Sequence, residues 1–286
     1  GLRLNQPIKH RKTSMHLVHL LILPPIIMGI IQGATEFIPV SSSGHLIIAS
    51  HLLRLHHGGH LFIQALDFGT TLALIIYFRR QLKELARQVF IEHDYRLLRN
   101  IAITCLPVGM IGFTASRFVE HSAFFASSLV IAVSLIIFGI IMVVLERLPR
   151  LSDVADGRGL SPSRALVIGM AQCLALVPGV SRSGSTIIAS RLCGLKPKQA
   201  TEYSFLASIP IMLALLAKLV VKNTGFIVHH WQPLLLGNIF AFIVGIIAVR
   251  LFLTYLEKHD LRAFGAYRIS IAIIIIYLLS TGALPH

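Results

Sequence analysis

The chain has 286 residues, of which 55% are apolar and only 13% are charged, and its formal net charge is +14. Soluble domains carry about 25% charged residues, so this composition excludes an ordinary water-soluble globule, and the abundance of apolar residues excludes a disordered chain. The apolar stretches are continuous rather than alternating, which predicts a helical polytopic membrane protein and not a barrel. The basic residues lie in short connectors, where they indicate membrane orientation and contact with anionic lipid rather than nucleic-acid binding.

The N-terminal segment is polar and basic, in contrast to everything that follows it. We predict a basic leader over residues 1–16, either an upstream extension or a remnant that lies outside the fold. One membrane domain is then expected over residues 17–284. It divides into a first half at about 17–150 and a second half at about 160–284.

Eight apolar runs are candidates for membrane helices: 17–38, 61–78, 97–113, 123–145, 165–180, 204–221, 234–253 and 269–284. The first and the fifth of these segments are each followed by a passage of Pro, Ser and Gly residues, 39–44 and 178–184. Each passage is followed directly by another apolar segment. Proline ends the incoming helix and serine caps the outgoing one. Each passage therefore predicts a re-entrant pair, in which a helix, a break and a short second helix follow one another.

The two passages are copies of each other. When residues 29–55 are compared with residues 169–195, twelve of the 27 positions are identical, including Gly29 with Gly169 and the Ser-x-Ser-Gly of each passage. Three candidate spans follow each copy, so the two halves are expected to cross the membrane in opposite directions. The predicted fold is an all-α integral membrane protein with about six transmembrane helices and two re-entrant helix pairs in inverted-topology repeats. The basic connectors are predicted to be cytoplasmic and both termini external.

Ionisable side chains inside apolar runs are expensive, so each is a candidate for function. Glu36 lies near the end of the first run, one helical turn after Gln32, and His45 and Arg182 lie at the two breaks. Inverted symmetry would bring these groups together with two helix N-termini, an arrangement suited to a phosphate or diphosphate. Ser42, His45 and Glu36 would then provide a hydroxyl, an imidazole and a carboxylate, which are sufficient for hydrolysis.

Three other interpretations compete with this one. Small residues in membrane helices commonly serve close packing. Glu36 and Arg182 could form a purely structural ion pair between the halves. Inverted repeats with broken helices are also typical of secondary transporters, so a transporter or flippase of a lipid phosphate is the alternative function.

Both passages resemble the signatures of one family, the bacterial undecaprenyl-diphosphate phosphatases of the BacA type. Residues 32–45 (QGATEFIPVSSSGH) are similar to a Glu/Gln-x-x-x-Glu pair followed by Pro-Val-Ser-Ser-x-Gly-His, and residues 178–186 (PGVSRSGST) are similar to Pro-Gly-x-Ser-Arg-Ser-x-x-Thr. The resemblance implies a phosphoric anhydride hydrolase that converts undecaprenyl diphosphate to undecaprenyl phosphate for peptidoglycan synthesis, cell-wall biogenesis and cell shape. It also implies bacitracin resistance and a place in the bacterial inner membrane, with the active site facing the periplasm or exterior.

The resemblance further implies a role for each matching residue. Glu36 with Gln32 would bind a divalent cation, Mg²⁺ or Ca²⁺, or position water. Ser42 or His45 would be the nucleophile or the acid/base, and Arg182 would neutralise the diphosphate. The phosphoryl oxygens are expected to be held by Ser41, Ser181, Ser183 and Thr186.

Overall fold

The computed structural model describes residues 9–53, 59–121, 127–148 and 153–283, and the regular structure in these ranges is helical. The α-helices are α1 (Lys9–Thr35), α2 (Ser42–Leu52), α3 (Gly59–Ala65), α4 (Asp67–Tyr77), α5 (Arg79–Phe90), α6 (Arg96–His121), α7 (Ser128–Leu145), α8 (Pro162–Cys173), α9 (Arg182–Leu192), α10 (Pro197–His229), α11 (Trp231–Tyr255) and α12 (Arg262–Ser280). The predicted all-α class is confirmed.

Five helical segments of the described chain are long and apolar enough to cross a membrane: Gly59–Tyr77, Ser128–Leu145, Pro197–His229, Trp231–Tyr255 and Arg262–Ser280. The remaining predicted span, 97–113, lies inside α6, whose 26 residues would measure about 39 Å. That helix is more polar than the others because it contains Arg96, Arg99 and Arg117. The chain is therefore a multi-pass membrane protein.

Several helix boundaries differ from the apolar runs. α1 begins at Lys9, within the segment predicted to be a leader, and residues 1–8 lie outside the described residues. The run 61–78 is two helices that meet at Leu66, and α10 extends beyond its apolar run at both ends, with a kink at Asn223. An apolar run marks only the part of a helix that lies in hydrocarbon, and the helix continues wherever no residue breaks it.

Both predicted re-entrant pairs are present as two helices around a break. α1 ends at Thr35 and α2 begins at Ser42, whereas α8 ends at Cys173 and α9 begins at Arg182 after a 3₁₀ turn. The residues before α2 and α9, Ser41 and Ser181, both have a φ of 70°. Non-glycine residues rarely adopt this conformation, and such backbone strain clusters at functional sites.

The first helix of each re-entrant pair packs against a helix of the opposite half. α1 packs along α11, and its counterpart α8 packs along α6. The contacts are close: a Cβ on Gly29 would lie 2.1 Å from the Gly237 carbonyl oxygen, and one on Gly169 would lie 2.6 Å from that of Thr104. Glycine at these two matching positions lets each re-entrant pair approach the second full-length helix of the opposite half.

α7 and α12, the last helices of the two halves, cross each other at a pair of glycines. A Cβ on Gly139 would meet the Gly265 carbonyl oxygen at 2.8 Å, and a Cβ on Gly265 would meet that of Gly139 at 2.6 Å. A contact in which each helix presents the same atom to the other is what a two-fold axis between two inverted halves produces.

The main core lies beside the first break. Phe37 is buried against Phe205, with ring centroids 5.6 Å apart, and Phe205 also contacts Phe78 and Phe252. These aromatic contacts hold the backbone next to Glu36 in place.

Candidate active site

The carboxylate of Glu36 connects the two breaks. One of its oxygens, Oε2, accepts hydrogen bonds from the Ser42 hydroxyl at 2.7 Å and from Gln32 Nε2 at 3.2 Å. The other, Oε1, lies 2.5 Å from a terminal nitrogen of Arg182. The Glu36 and Arg182 side chains are only 12% and 20% exposed. The structure therefore brings the carboxylate and the hydroxyl of the first break together with a guanidinium that lies 146 residues further along the chain.

Local backbone structure places each of these groups. The amide of Glu36 donates to the Gln32 carbonyl at 2.9 Å, which extends the last turn of α1. Ser42 and Arg182 are the first residues of α2 and α9, and the Ser183 hydroxyl donates to the Glu36 carbonyl at 3.4 Å. Because both short helices begin at the cluster, their N-terminal amides and positive dipole ends converge there.

His45 is bound to residues other than Ser42. Its Nδ1 lies 2.8 Å from the Ser41 carbonyl oxygen, and its Nε2 lies 2.8 Å from the Tyr267 hydroxyl. A carbonyl oxygen can only accept, so Nδ1 carries the proton, and in the neutral ring Nε2 accepts from the tyrosine. The His45 and Tyr267 rings are also parallel, with centroids 5.7 Å apart.

The residues predicted to hold phosphoryl oxygens occupy equivalent places in the two halves. The hydroxyls of Ser41 and Ser43 are 3.0 Å apart, and those of Ser181 and Ser183 are 3.1 Å apart. Ser181 also accepts from the Gly184 amide at 3.1 Å, as an N-cap does. Of these four serines, Ser41, Ser181 and Ser183 were predicted to bind phosphate, and that role stays a prediction.

Thr186 differs from the other predicted phosphate ligands in its surroundings. It is buried, and its hydroxyl bonds to the Ser204 hydroxyl and lies 2.9 Å from the Arg182 carbonyl oxygen. These bonds tie α9 to α10 one turn after Arg182. Its role as a phosphate ligand likewise stays a prediction.

Asp67 is a further carboxylate at the site. Its Oδ1 accepts from Gln32 Nε2 at 2.6 Å, so one amide nitrogen contacts both Asp67 and Glu36. From the sequence, Asp67 near the start of the apolar run 61–78 could line the cavity, although an interfacial position is the default interpretation. Only the structure places Asp67 beside Gln32.

Arg268 is a residue of the site that sequence reasoning missed. Its guanidinium is fully buried and donates to the carbonyls of Pro39 at 3.1 Å, Gly179 at 2.7 Å and Val180 at 3.2 Å. It also lies over the Phe138 ring, 5.8 Å from the centroid. In the sequence Arg268 looks like the last basic residue of a connector, whereas in the structure it joins the two breaks.

The fold and the site define a class of protein: a polytopic helical membrane protein in which two broken helix pairs place a serine–carboxylate pair against an arginine. A family model described as bacitracin resistance protein BacA matches residues 25–274, and the chain belongs to the BacA family. The resemblance found in the two signatures is thereby confirmed.

Curated relatives match over most of their length. Undecaprenyl-diphosphatase 1 of Clostridioides difficile (strain 630) is 37% identical over 262 residues, covering 89% of this chain and 95% of the relative. The undecaprenyl-diphosphatase of Aquifex aeolicus (strain VF5) is 37% identical over 254 residues, covering 87% of this chain and 95% of the relative. The undecaprenyl-diphosphatase of Campylobacter fetus subsp. fetus (strain 82-40) is 39% identical over 267 residues, covering 90% of this chain and 99% of the relative.

Proposed function

We propose that this protein hydrolyses undecaprenyl diphosphate to undecaprenyl phosphate and inorganic phosphate. The observation that carries the proposal is the Glu36 carboxylate, which accepts from the Ser42 hydroxyl while it pairs with Arg182. A carboxylate next to a hydroxyl activates a nucleophile, and a guanidinium stabilises phosphoryl charge. The names of the relatives agree with this activity, and the transporter alternative is not favoured, because transport requires no activated nucleophile.

In the first step, Ser42 Oγ attacks the terminal phosphorus of the diphosphate. The hydroxyl proton passes to Glu36, an Oγ–P bond forms, and the bond from that phosphorus to the bridging oxygen breaks. The electron pair leaves on undecaprenyl phosphate, which can take the proton from Glu36. Arg182 exchanges its bond with Glu36 for the phosphoryl oxygens, so positive charge lies where negative charge must be held.

In the second step, Glu36 acts as the base again. It removes a proton from water, which attacks the phosphoserine, and the Oγ–P bond breaks to release inorganic phosphate. Ser42 regains its proton from Glu36. The same carboxylate therefore serves both steps.

A divalent cation fits the residues of the site. Gln32 Oε1 is buried and has no hydrogen-bond partner in the described ranges, and it belongs to the residue that joins the Glu36 and Asp67 carboxylates. The described residues contain no cluster of three or more His, Cys, Asp or Glu side chains. Mg²⁺ commonly takes one or two carboxylates and completes its coordination with substrate phosphates and water. Glu36, Asp67 and Gln32 would hold the cation, and it would neutralise phosphate charge when bound.

His45 is the alternative nucleophile. Both of its ring nitrogens have hydrogen-bond partners, Ser41 and Tyr267, so attack by His45 would first require the bond to Tyr267 to break. Ser42 needs no such rearrangement, which is why we assign the attack to it. His45 instead fixes the first turn of α2 against α12.

The membrane context completes the proposal. The polyprenyl tail lies in the bilayer, and the site faces the periplasm or exterior of the bacterial inner membrane, opposite the basic connectors. Recycling of the lipid carrier supports peptidoglycan synthesis and cell shape. Bacitracin resistance is the further role that the family description suggests.

Trapping the covalent intermediate tests the proposal. The full chain, purified in detergent with Mg²⁺, is mixed with undecaprenyl diphosphate labelled with ³²P on its terminal phosphate and quenched in acid within milliseconds to seconds. Peptide mass spectrometry should locate the label on Ser42, and free phosphate should be released. Label on His45 would overturn the assignment to Ser42, and the absence of phosphate release would overturn the function.

A further inference from the structure

A cavity of about 580 Å³ lies where α4 ends, α5 begins and α11 passes beside them. It is lined by Tyr77, Arg79, Arg80, Gln81 and Arg250. Three of these five side chains carry a guanidinium, and none is acidic. A cavity with this lining has the chemistry of a site for an anion.

The arginines of this cavity differ from those around them. Arg87, Arg96, Arg158, Arg191 and Arg262 each form an ion pair with a carboxylate. Within the described ranges, Arg79, Arg80 and Arg250 have no carboxylate partner, and Arg79 donates only to the Ile76 carbonyl at 2.9 Å. Their positive charge is therefore available to a ligand rather than neutralised by the protein.

The helix that contributes two of these arginines follows a membrane span directly. α3 and α4 form the span Gly59–Tyr77, and α5 starts at Arg79. α5 turns Leu82 and Leu85 toward the core and leaves Phe90 and the following Ile91 78% and 72% exposed. Arginines at the end of a span, on a helix with exposed large apolar residues, lie at the level of lipid phosphates.

The cavity is separate from the catalytic cluster. α4 runs from Asp67, beside Gln32, to Tyr77 at the cavity, and its 11 residues span about 16 Å. A ligand in the cavity would therefore not touch Glu36 or Ser42.

From these observations we propose that the cavity binds the headgroup phosphate of an anionic phospholipid. The ligand comes from the leaflet in which α5 lies. Arg80 and Arg250, which belong to different helices, hold the phosphodiester from two sides, and Arg79 adds charge at the start of α5. Uncompensated basic residues beside a membrane span are the arrangement that attracts anionic headgroups.

Binding of single lipids to two charge-matched variants tests the proposal. The full chain in neutral detergent is titrated with phosphatidylglycerol, phosphatidylcholine or inorganic phosphate, and bound species are counted by native mass spectrometry. The double variant Arg80→Gln/Arg250→Gln should bind phosphatidylglycerol at least about tenfold more weakly, since one charge-assisted hydrogen bond is worth about that factor. The control, Lys83→Gln/Arg147→Gln, removes the same charge outside the cavity and should bind as the unaltered chain does.

Any of the following binding results would overturn the proposal. Equal phosphatidylglycerol binding by both double variants would show that the cavity is not the site. Phosphatidylcholine binding as tight as that of phosphatidylglycerol would exclude charge recognition, and inorganic phosphate binding of equal strength would identify a soluble anion as the ligand. If the double glutamine variant does not fold, the single variants Arg80→Gln and Arg250→Gln decide the question: each should weaken phosphatidylglycerol binding, and unchanged affinity in both would overturn the proposal.

Discussion

The two breaks share one backbone and differ in the side chains placed on it. Ser41 and Ser181 have the same φ of 70°, and each bonds to the serine two residues later at 3.0 or 3.1 Å. Of the side chains that meet at Glu36, the first break supplies a carboxylate and a hydroxyl, and the second supplies the guanidinium of Arg182. At the position that matches Glu36 the second half has Leu176.

This difference shows why a duplicated scaffold needs unlike halves. Two identical breaks would place carboxylate against carboxylate or arginine against arginine at the centre of the membrane, where like charges repel strongly. Divergence at a few positions replaces that repulsion with attraction. In the proposed mechanism it also divides the chemistry, so that Ser42 of the first break attacks phosphorus and Arg182 of the second break binds the phosphoryl oxygens.

The largest expected effect is the difference in kcat between alanine variants of two neighbouring serines in the first break, Ser42 and Ser43. Ser42→Ala removes the hydroxyl that donates to Glu36 and should lower kcat at least about 10⁴-fold, because among the described residues no other hydroxyl donates to that carboxylate. Ser43→Ala removes a hydroxyl bonded to Ser41 and should keep kcat within about tenfold. Phosphate release from undecaprenyl diphosphate measures both, and a Ser42→Ala enzyme with more than a tenth of the original kcat would contradict the assignment.

The next effect concerns the second break. Arg182→Ala should lower kcat/KM about 10²- to 10³-fold, the usual loss when one group that stabilises transition-state charge is removed. Arg182→Lys keeps the charge without the planar fork and should recover part of that loss. The same phosphate-release assay applies. If Arg182→Ala left phosphate release intact, the division of chemistry between the breaks would be wrong.

Arg268 tests whether the breaks depend on one another. Arg268→Met leaves the Pro39, Gly179 and Val180 carbonyls without this donor and should lower the free energy of unfolding by about 3 kcal/mol or more. Arg268→Lys can reach fewer carbonyls than arginine, so its free energy of unfolding should lie between that of Arg268→Met and that of the unaltered chain. Thermal unfolding in detergent measures stability, and kcat and KM of the folded fraction measure positioning. Unchanged kinetics in a fully folded Arg268→Met would mean that the residue is only structural.

The smallest effect compares the matching glycines. A Cβ at Gly29 or at Gly169 would clash with backbone of the opposite half, so each alanine substitution should destabilise by about 1–3 kcal/mol, and Gly29→Ala more, since its clash is closer. Gly109→Ala, in a helix with no atom within 4 Å of the added Cβ, is the control and should be neutral or slightly stabilising. Thermal unfolding of the three variants would detect the difference, and equal stability of all three would contradict the packing.

Features that depend on local sequence were predictable from the chain alone. Pro39 and Pro178 lie in the breaks that the pattern predicted, whereas Pro107 and Pro210 lie inside helices. Of the two serines before the new helices, the Ser181 side chain accepts a capping hydrogen bond and the Ser41 side chain does not. The family signatures also named Glu36, Ser42 and Arg182 before any contact was known. The leader over residues 1–16 stays a prediction. The start of α1 at Lys9 was not predictable, because a polar sequence without a helix breaker does not reveal where a helix starts.

Features that depend on contacts between distant helices were not predictable. The sequence left Ser42 and His45 as alternative nucleophiles, whereas in the structure Ser42 donates to Glu36 and His45 bonds to Tyr267 from α12. Asp67 and Arg268 looked like interfacial charges, because periodicity along one helix contains no information about which helix lies opposite.

By itself, then, the order of residues established a membrane-spanning chain, its duplicated broken helices and the enzyme family to which it belongs. The length of an apolar segment and the residues that break a helix act over a few turns, so both can be recognised from the sequence alone. That Arg182 meets Glu36 and that Tyr267 meets His45 was decided only when the inverted halves packed together, since these partners are 146 and 222 residues apart and only close packing sets their distances.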